Sequence, residues 1–402
     1  MGTSRPYDIV LFGATGFTGG LTAEYLARHA PEGCRWALAG RDPAKLERVR
    51  ERLAALDPAC ASLPLLTAEV AQADTLRDFA ARTRVVISTV GPYLRYGEPL
   101  VAACAEVGTD YVDLTGEPEF VDLMYLKHHR AAVASGARIV HSCGFDSLPY
   151  DLGALLTVRQ LPSDAPVFVE GFVRAAGTVS GGTVASALMA VSRPLAMVRA
   201  ARHRRAAEPT PAGRRSRAVL RGPRWSADAR AWTLPMPTID PMVVTRSATA
   251  LDDYGPDFRY AHNAAVKWLP VALVGGVGVV AALAAAQLPP VRRALEHTRK
   301  PGEGPDERRR AKGWFTVRFA GRSGKERVWT EVSGGDPGYG ATSLMLAESA
   351  LSLAFDDLPV TAGQLTPAAA MGTALIDRLT AAGMRFAVLQ APPRSAPGRW
   401  KG

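Results

Sequence analysis

Cysteine is scarce in this sequence and never paired. Four occur in 402 residues, at Cys34, Cys60, Cys104 and Cys143, and none forms a CxxC pair. This spacing argues against a disulfide framework and against a zinc or other metal site, and it fits a reducing cytoplasm. The run Met1–Asp8 lacks the apolar core of a secretory signal, and Pro6 stands where N-myristoylation wants Ser or Thr. Acidic residues almost vanish from 199–224, where nine arginines face only Glu208. That stretch holds most of the net charge of +10, so the remainder is nearly balanced and no nucleic-acid partner is expected. It reads either as a solvated Arg-rich insertion or as a docking patch. Charge is missing altogether from 268–291, between Lys267 and Arg292.

What is present is ordinary globular composition, 47% hydrophobic and 21% charged, at a length that suits two domains. Short apolar runs at 8–12, 36–39, 63–70, 85–90, 110–114 and 137–142 read as strands. Helical spacing at 21–29, 45–56, 75–82, 99–107 and 121–135 fills the gaps. Strand and helix alternate with short connections, so the expected fold is α/β, an amino-terminal Rossmann-type doubly wound parallel sheet over 1–149. After Pro149 the pattern loosens. Residues 150–340 read as an α+β substrate domain, with a strand at 167–174 and a hairpin from 314–319 and 328–333. Helices at 341–354 and 366–382 are expected to pack back across both domains.

Gly13, Gly16 and Gly19 lie between the first strand and the first helix. The spacing is GxxGxxG rather than GxGxxG, but the strand–turn–helix context is that of a dinucleotide site. The first glycine permits the tight turn, the second admits the pyrophosphate, and the third brings helix and strand together. Thr15, Phe17 and Thr18 belong to the same loop. The second strand ends Ala39-Gly40-Arg41 with no carboxylate to hold ribose hydroxyls. Arg41, with Lys45 one turn on, suits a 2′-phosphate instead, so NADP(H) is the expected coenzyme. Asp42, just before Pro43, is placed to cap the next helix. Thr89, Val90, Gly91 and Pro92 close the fourth strand and should line the cofactor crevice.

Five runs together, GATGFTG, LAGRDPAKL, VISTVGPYLRYGEPLVAAC, GTDYVDLTGE and HSCGFDSLPYDLG, resemble the saccharopine dehydrogenase-like family. The carboxy-terminal run GYGATSLMLAESALSLAFDD is similar too. Within that family the chain looks most like the actinobacterial trans-acting enoyl reductases and the eukaryotic saccharopine dehydrogenase-like oxidoreductases. The resemblance is strong over 8–153 and 338–387 and weak over 199–312. It implies a Rossmann domain, NADP(H), a second domain with an antiparallel sheet and, for the enoyl reductase branch, a polyketide or lipid thioester brought by a carrier protein. The third strand departs from the family pattern, with Ala71 where a second aspartate is usual.

Reducing an enoyl thioester needs a proton source as well as a hydride. The catalytic candidates at strand ends are Tyr93, Cys143 and Asp146, with Tyr111, Asp113 and Glu117 beside them. Each has a plainer role open to it: loop packing for Tyr93, buried filler for Cys143, and a helix cap for Asp146. Asp113 and Glu117 suit loop geometry, His141 suits the core, and Tyr339 stands near enough to the last helices to reach the cleft. No Ser–Tyr–Lys constellation of the short-chain dehydrogenases is evident.

The apolar core of the uncharged segment, 269–286, is marginal for a membrane span. A membrane-associated hairpin, a helix lining an acyl tunnel and a true span all fit it. Its basic flanks and the Arg-rich stretch suit anionic lipid headgroups at the inner face of the plasma membrane, or an acidic acyl carrier protein. The reading that results is an NADP(H)-dependent reductase of an unsaturated lipid or polyketide thioester. Its rivals are a saccharopine-type dehydrogenase acting on an amino-acid conjugate, and a non-catalytic lipid-associated nucleotide-binding protein.

Overall fold

In the computed structural model, which describes residues 5–177, 193–236, 238–270 and 304–399, the opening strand sets the layering. β1 (Tyr7–Phe12) has Ile9, Val10 and Leu11 wholly buried. A strand buried on both faces needs helices on both sides of its sheet. β2 (Trp36–Gly40), β3 (Leu65–Thr67), β4 (Thr83–Ser88), β5 (Asp110–Asp113) and β6 (Arg138–Val140) run parallel to it. Their order is β6-β5-β4-β1-β2-β3. The winding therefore reverses between β1 and β4, and such sheets open a ligand crevice beyond the carboxyl ends at that point. Ile9 and Leu11 enter one apolar cluster while Val10 and Phe12 enter another, as the two-residue strand period requires. The doubly wound sheet expected from the sequence is present, with its third strand reduced to three residues.

The second sheet is mixed. β7 (Val167–Ala176), β8 (Arg215–Ala218), β9 (Arg224–Ser226), β10 (Ala231–Pro235), β11 (Asp257–Val266), β12 (Trp314–Ser323) and β13 (Glu326–Gly334) make up most of it. β11 pairs parallel with both β7 and β8, and the other pairings are antiparallel. The expected hairpin is β12–β13, paired from Phe315↔Gly334 to Ser323↔Glu326. The helix Leu148–Val158 leads out of the crevice and packs beneath β7, β12 and β13.

The carboxy-terminal residues, expected as helices alone, also give a strand to each sheet. After the helix Gly340–Phe355, β14 (Gly363–Leu365) pairs parallel with β6 as the seventh strand of the first sheet. After the helix Pro367–Ala381, β15 (Arg385–Leu389) pairs antiparallel with β13.

Residues 199–224 are largely exposed, yet they are built into the fold. They form part of the helix Pro194–Ala207, which packs on the helix Pro118–Ser135, and then β8 and the start of β9. Arg204 is buried, with Nε donating to Asp122 Oδ1 at 2.6 Å and a second ion pair to Glu208. Arg221 and Arg224 hold the buried Glu170 of β7, while Arg214 and Arg217 pair with Asp252 and Asp257. Buried carboxylates such as Asp122 and Glu170 require such partners. Five of the nine arginines are thus paired with acids of the fold, and Arg199, Arg202, Arg205, Arg215 and Arg217 are exposed. Most of the uncharged run 268–291 lies outside the described residues. Among the described residues, no helix is long and apolar enough to cross a membrane.

Candidate active site

The turn between β1 and the helix Phe17–His29 is a surface of bare backbone. Gly13 has φ +94° and donates its N–H to the Ala39 carbonyl at 3.0 Å. A Cβ on Gly13 would stand 2.6 Å from Thr89 Oγ1, and one on Gly19 would stand 2.2 Å from the Gly13 carbonyl oxygen. Gly16 caps the helix without a side chain, so the first-turn N–H groups face outward beside the exposed Thr15. Thr89 ties the end of β4 to this turn, its N–H to Phe12 O at 3.0 Å and its Oγ1 to Gly13 O at 3.1 Å. Val90 and Pro92 follow half-buried, and Gly91 is exposed. Phe17 and Thr18 sit on the inner side, where Phe17 meets the edge of Tyr339 at 4.8 Å and the Thr18 carbonyl accepts from Thr22 Oγ1 at 2.9 Å. A pyrophosphate fits this cradle because nothing bulkier than glycine does and because unsatisfied helix N–H groups favour an anion.

At the end of β2, Arg41 is exposed and makes no hydrogen bond or ion pair among the described residues. Asp42 caps the helix Pro43–Ala54, accepting from Lys45 N at 3.0 Å, and Lys45 Nζ lies 3.8 Å from its Oδ2. A free guanidinium with no carboxylate to satisfy it suits the 2′-phosphate of NADP. Arg41→Ala is expected to weaken NADPH binding about tenfold, from the loss of exposed charge-assisted bonds, with NADH binding unchanged. Fluorescence titration with both coenzymes checks this, and equal losses would remove Arg41 from the role.

Two of the three catalytic candidates turn out to be structural. Tyr93 is buried, its hydroxyl donating to Ser88 O at 3.0 Å and accepting from Leu114 N at 3.3 Å. It clasps the ends of β4 and β5, and burial pushes its phenol well above the ordinary range. Cys143 has no exposed surface and directs its thiol to the Val140 carbonyl. Burial raises its pKa as well, so it supplies no thiolate. In this geometry both side chains serve the framework. Glu117 accepts from the N–H groups of Tyr93 and Leu94 at 3.0 and 2.8 Å, so it sets loop geometry. Asp113 gathers Ser142 N, Thr115 N, Tyr111 Oη and His141 Nδ1, the last at 2.7 Å.

Those Asp113 bonds hold Ser142 at φ +62°, a strained value for a residue with a side chain. The turn swings the chain out of β6 and carries Asp146 over the backbone of Gly116, where its Oδ2 lies 3.3 Å from the place a Cβ would take. Asp146 does not cap the helix that follows. Among the described residues its carboxylate has no hydrogen bond or ion pair, and desolvation pushes its pKa up to about 6. The segment Tyr339–Thr342 closes this side, with Thr342 Oγ1 accepting from Phe145 N at 3.2 Å.

Beyond Asp146 lies a set of residues that sequence reasoning did not find. Tyr150 is buried and meets the ring of His262 edge-on at 4.7 Å. His262 Nε2 lies 3.6 Å from Asp240 Oδ2, and its Nδ1 lies 3.1 Å from Tyr260 Oη. Burial brings the His262 pKa down to about 3, so its ring is neutral, and burial raises the carboxyl of Asp240 well above its usual range. These residues come from three separate stretches of chain, and no local spacing signals their meeting.

The comparisons with known proteins agree with this geometry. Residues 9–140 match the saccharopine dehydrogenase NADP-binding domain. A Mycobacterium tuberculosis protein named as a candidate trans-acting enoyl reductase is 41% identical, over 95% of this chain and 97% of its own. The trans-acting enoyl reductase of Mycobacterium leprae is 38% identical, over 94% and 97%. The chain belongs to the trans-acting enoyl reductase family. That family lies within the saccharopine dehydrogenase-like proteins, and its NADP-binding domain places the protein among NADP-dependent oxidoreductases. Saccharopine dehydrogenase from Saccharomyces cerevisiae has the same fold, with a TM-score of 0.55 over 95% of this chain and all of that one at 11% identity.

Proposed function

We propose that the protein reduces the carbon–carbon double bond of an α,β-unsaturated acyl thioester, with Asp146 delivering the proton. The unpaired Asp146 carboxyl at the crevice carries this reading, joined by the names of the relatives. NADPH, when bound, supplies the hydride to the β-carbon. The electron pair of the double bond then moves toward the thioester oxygen, and the α-carbon takes a proton from protonated Asp146, which regains one from solvent. The chain's own work is to hold the coenzyme on the glycine turn and at Arg41, and to raise the pKa of one carboxyl beside the reacting carbons toward neutrality so that it can donate.

The saccharopine-type rival needs convergent free cations for several carboxylates. The groups behind the crevice are instead acids and neutral rings, Asp146, Asp240, Tyr150 and His262, which disfavour such a substrate. Delivery by an acidic acyl carrier protein is supported by exposed Arg199, Arg202 and Arg205 on one helix. Attachment to anionic membrane would use the same charges. The decisive assay follows nicotinamide absorbance with NADPH and a panel of enoyl thioesters. We expect consumption with at least one medium-chain enoyl thioester, and none with amino-acid dicarboxylate conjugates. The reverse pattern sinks the proposal.

A further inference from the structure

A cavity of about 210 Å³ opens between the end of β8, the entry to the helix Asp240–Ala250, and β11. Val219, Met236 and Pro241 give it apolar walls, and Thr238, Tyr260 and His262 give it a polar end. Among the described residues, no Lys or Arg lines it. The polar end carries unmet hydrogen-bonding capacity. His262 is 4% exposed and Asp240 3%, and neither His262 Nε2 nor Asp240 Oδ1 has a hydrogen-bond partner among the described residues. Native folds rarely leave buried polar atoms unmet, and a ligand group is one common reason. Tyr150 stands between this end wall and the loop that carries Asp146, stacking edge-on with His262 on one side and Phe145 on the other.

We infer that this cavity holds the apolar chain of an uncharged ligand, with a single neutral hydrogen-bonding group set against His262, which Asp240 backs from 3.6 Å. The assignment rests on the thioester reading and adds a selection rule to it. An apolar channel with a neutral polar end and no cation accepts an ester, thioester, ketone or hydroxyl. It rejects a carboxylate, which would be desolvated at the neutral His262 end without a counter-charge among the lining residues. Burial brings the His262 pKa down to about 3, so the ring at the polar end is neutral, and burial also pushes the Asp240 carboxyl behind it well up from its usual range.

The test uses full-length protein and three unreactive probes, decanol, a saturated decanoyl N-acetylcysteamine thioester and decanoate, with binding read by calorimetry. Ala218 borders the cavity from an exposed position, so Ala218→Trp fills its rim without disturbing the core. Decanol and the thioester should bind wild type at least tenfold more tightly than decanoate does. Both should lose at least tenfold in Ala218→Trp, while NADPH affinity stays unchanged. His262→Gln is the second variant, and should lower affinity for the two neutral probes with a retained melting temperature. Three results would each overturn the assignment: neutral probes that fail to bind wild type, neutral probes that bind Ala218→Trp and His262→Gln as well as wild type, or decanoate binding as tightly as decanol. Neutral-probe binding without turnover of any enoyl thioester would keep the cavity and end the reductase reading. Turnover that is untouched by Ala218→Trp would do the opposite.

Discussion

Gly19→Ala is expected to remove coenzyme binding, with NADPH affinity falling by about 100-fold or more. The new methyl group would lie 2.2 Å from the Gly13 carbonyl oxygen and 2.7 Å from Thr89 Oγ1. Neither contact can be relieved by a flexible side chain, because the first is backbone and the second is the group that ties β4 to the turn. The helix must therefore back away from β1, and the pyrophosphate cradle opens with it. Gly20→Ala is the control. Its Cβ would meet Arg52 Nη2 at 2.8 Å, the far end of an exposed side chain that can swing aside. Fluorescence titration of both variants separates the two cases. An alanine at 19 that binds NADPH like wild type would show that the turn does not hold the diphosphate.

Asp146→Asn is expected to lower kcat on an enoyl thioester by about 100-fold or more, the usual yield of a positioned general acid, with NADPH affinity within twofold of wild type. Asparagine keeps the shape over Gly116 and loses only the exchangeable proton. Desolvation pushes the Asp146 pKa up to about 6, and the groups facing it are Tyr150 and Asp240, both of which burial pushes toward their uncharged forms. The competent form is the protonated one. Wild-type kcat should thus be level below pH 6 and fall tenfold for each pH unit above it, until another step limits the rate. In Asp146→Asn that limb should disappear. A variant that keeps both full kcat and the limb would place the proton donor elsewhere.

The doubly wound sheet was legible because its signals are local. A run such as DIVLF followed by three glycines declares a buried strand and a phosphate turn within a dozen residues. β14 and β15 left no such trace. Gly363–Leu365 is three residues long, and Arg385–Leu389 is a half-exposed edge strand, so neither shows a usable period. The arginines of 199–224 read as surplus charge because their acids, Asp122, Glu170, Asp252 and Asp257, stand elsewhere in the chain. At the site, the glycines and Arg41 could be found by position relative to strand ends. Tyr93 and Cys143 occupy similar positions, yet point inward, and strand ends alone do not reveal which way a side chain turns. The Asp240–His262 pair depends on β11 lying beside the entry to a helix, a tertiary fact.

The strand Gly363–Leu365 has a consequence for synthesis. The first sheet is six-sevenths translated by residue 140, yet the flank of β6 lacks its neighbour until more than two hundred further residues have left the ribosome. A growing chain thus carries an uncovered β edge through most of its production, the kind of surface that invites pairing with other chains. Loss of the last forty residues would leave that edge bare for good.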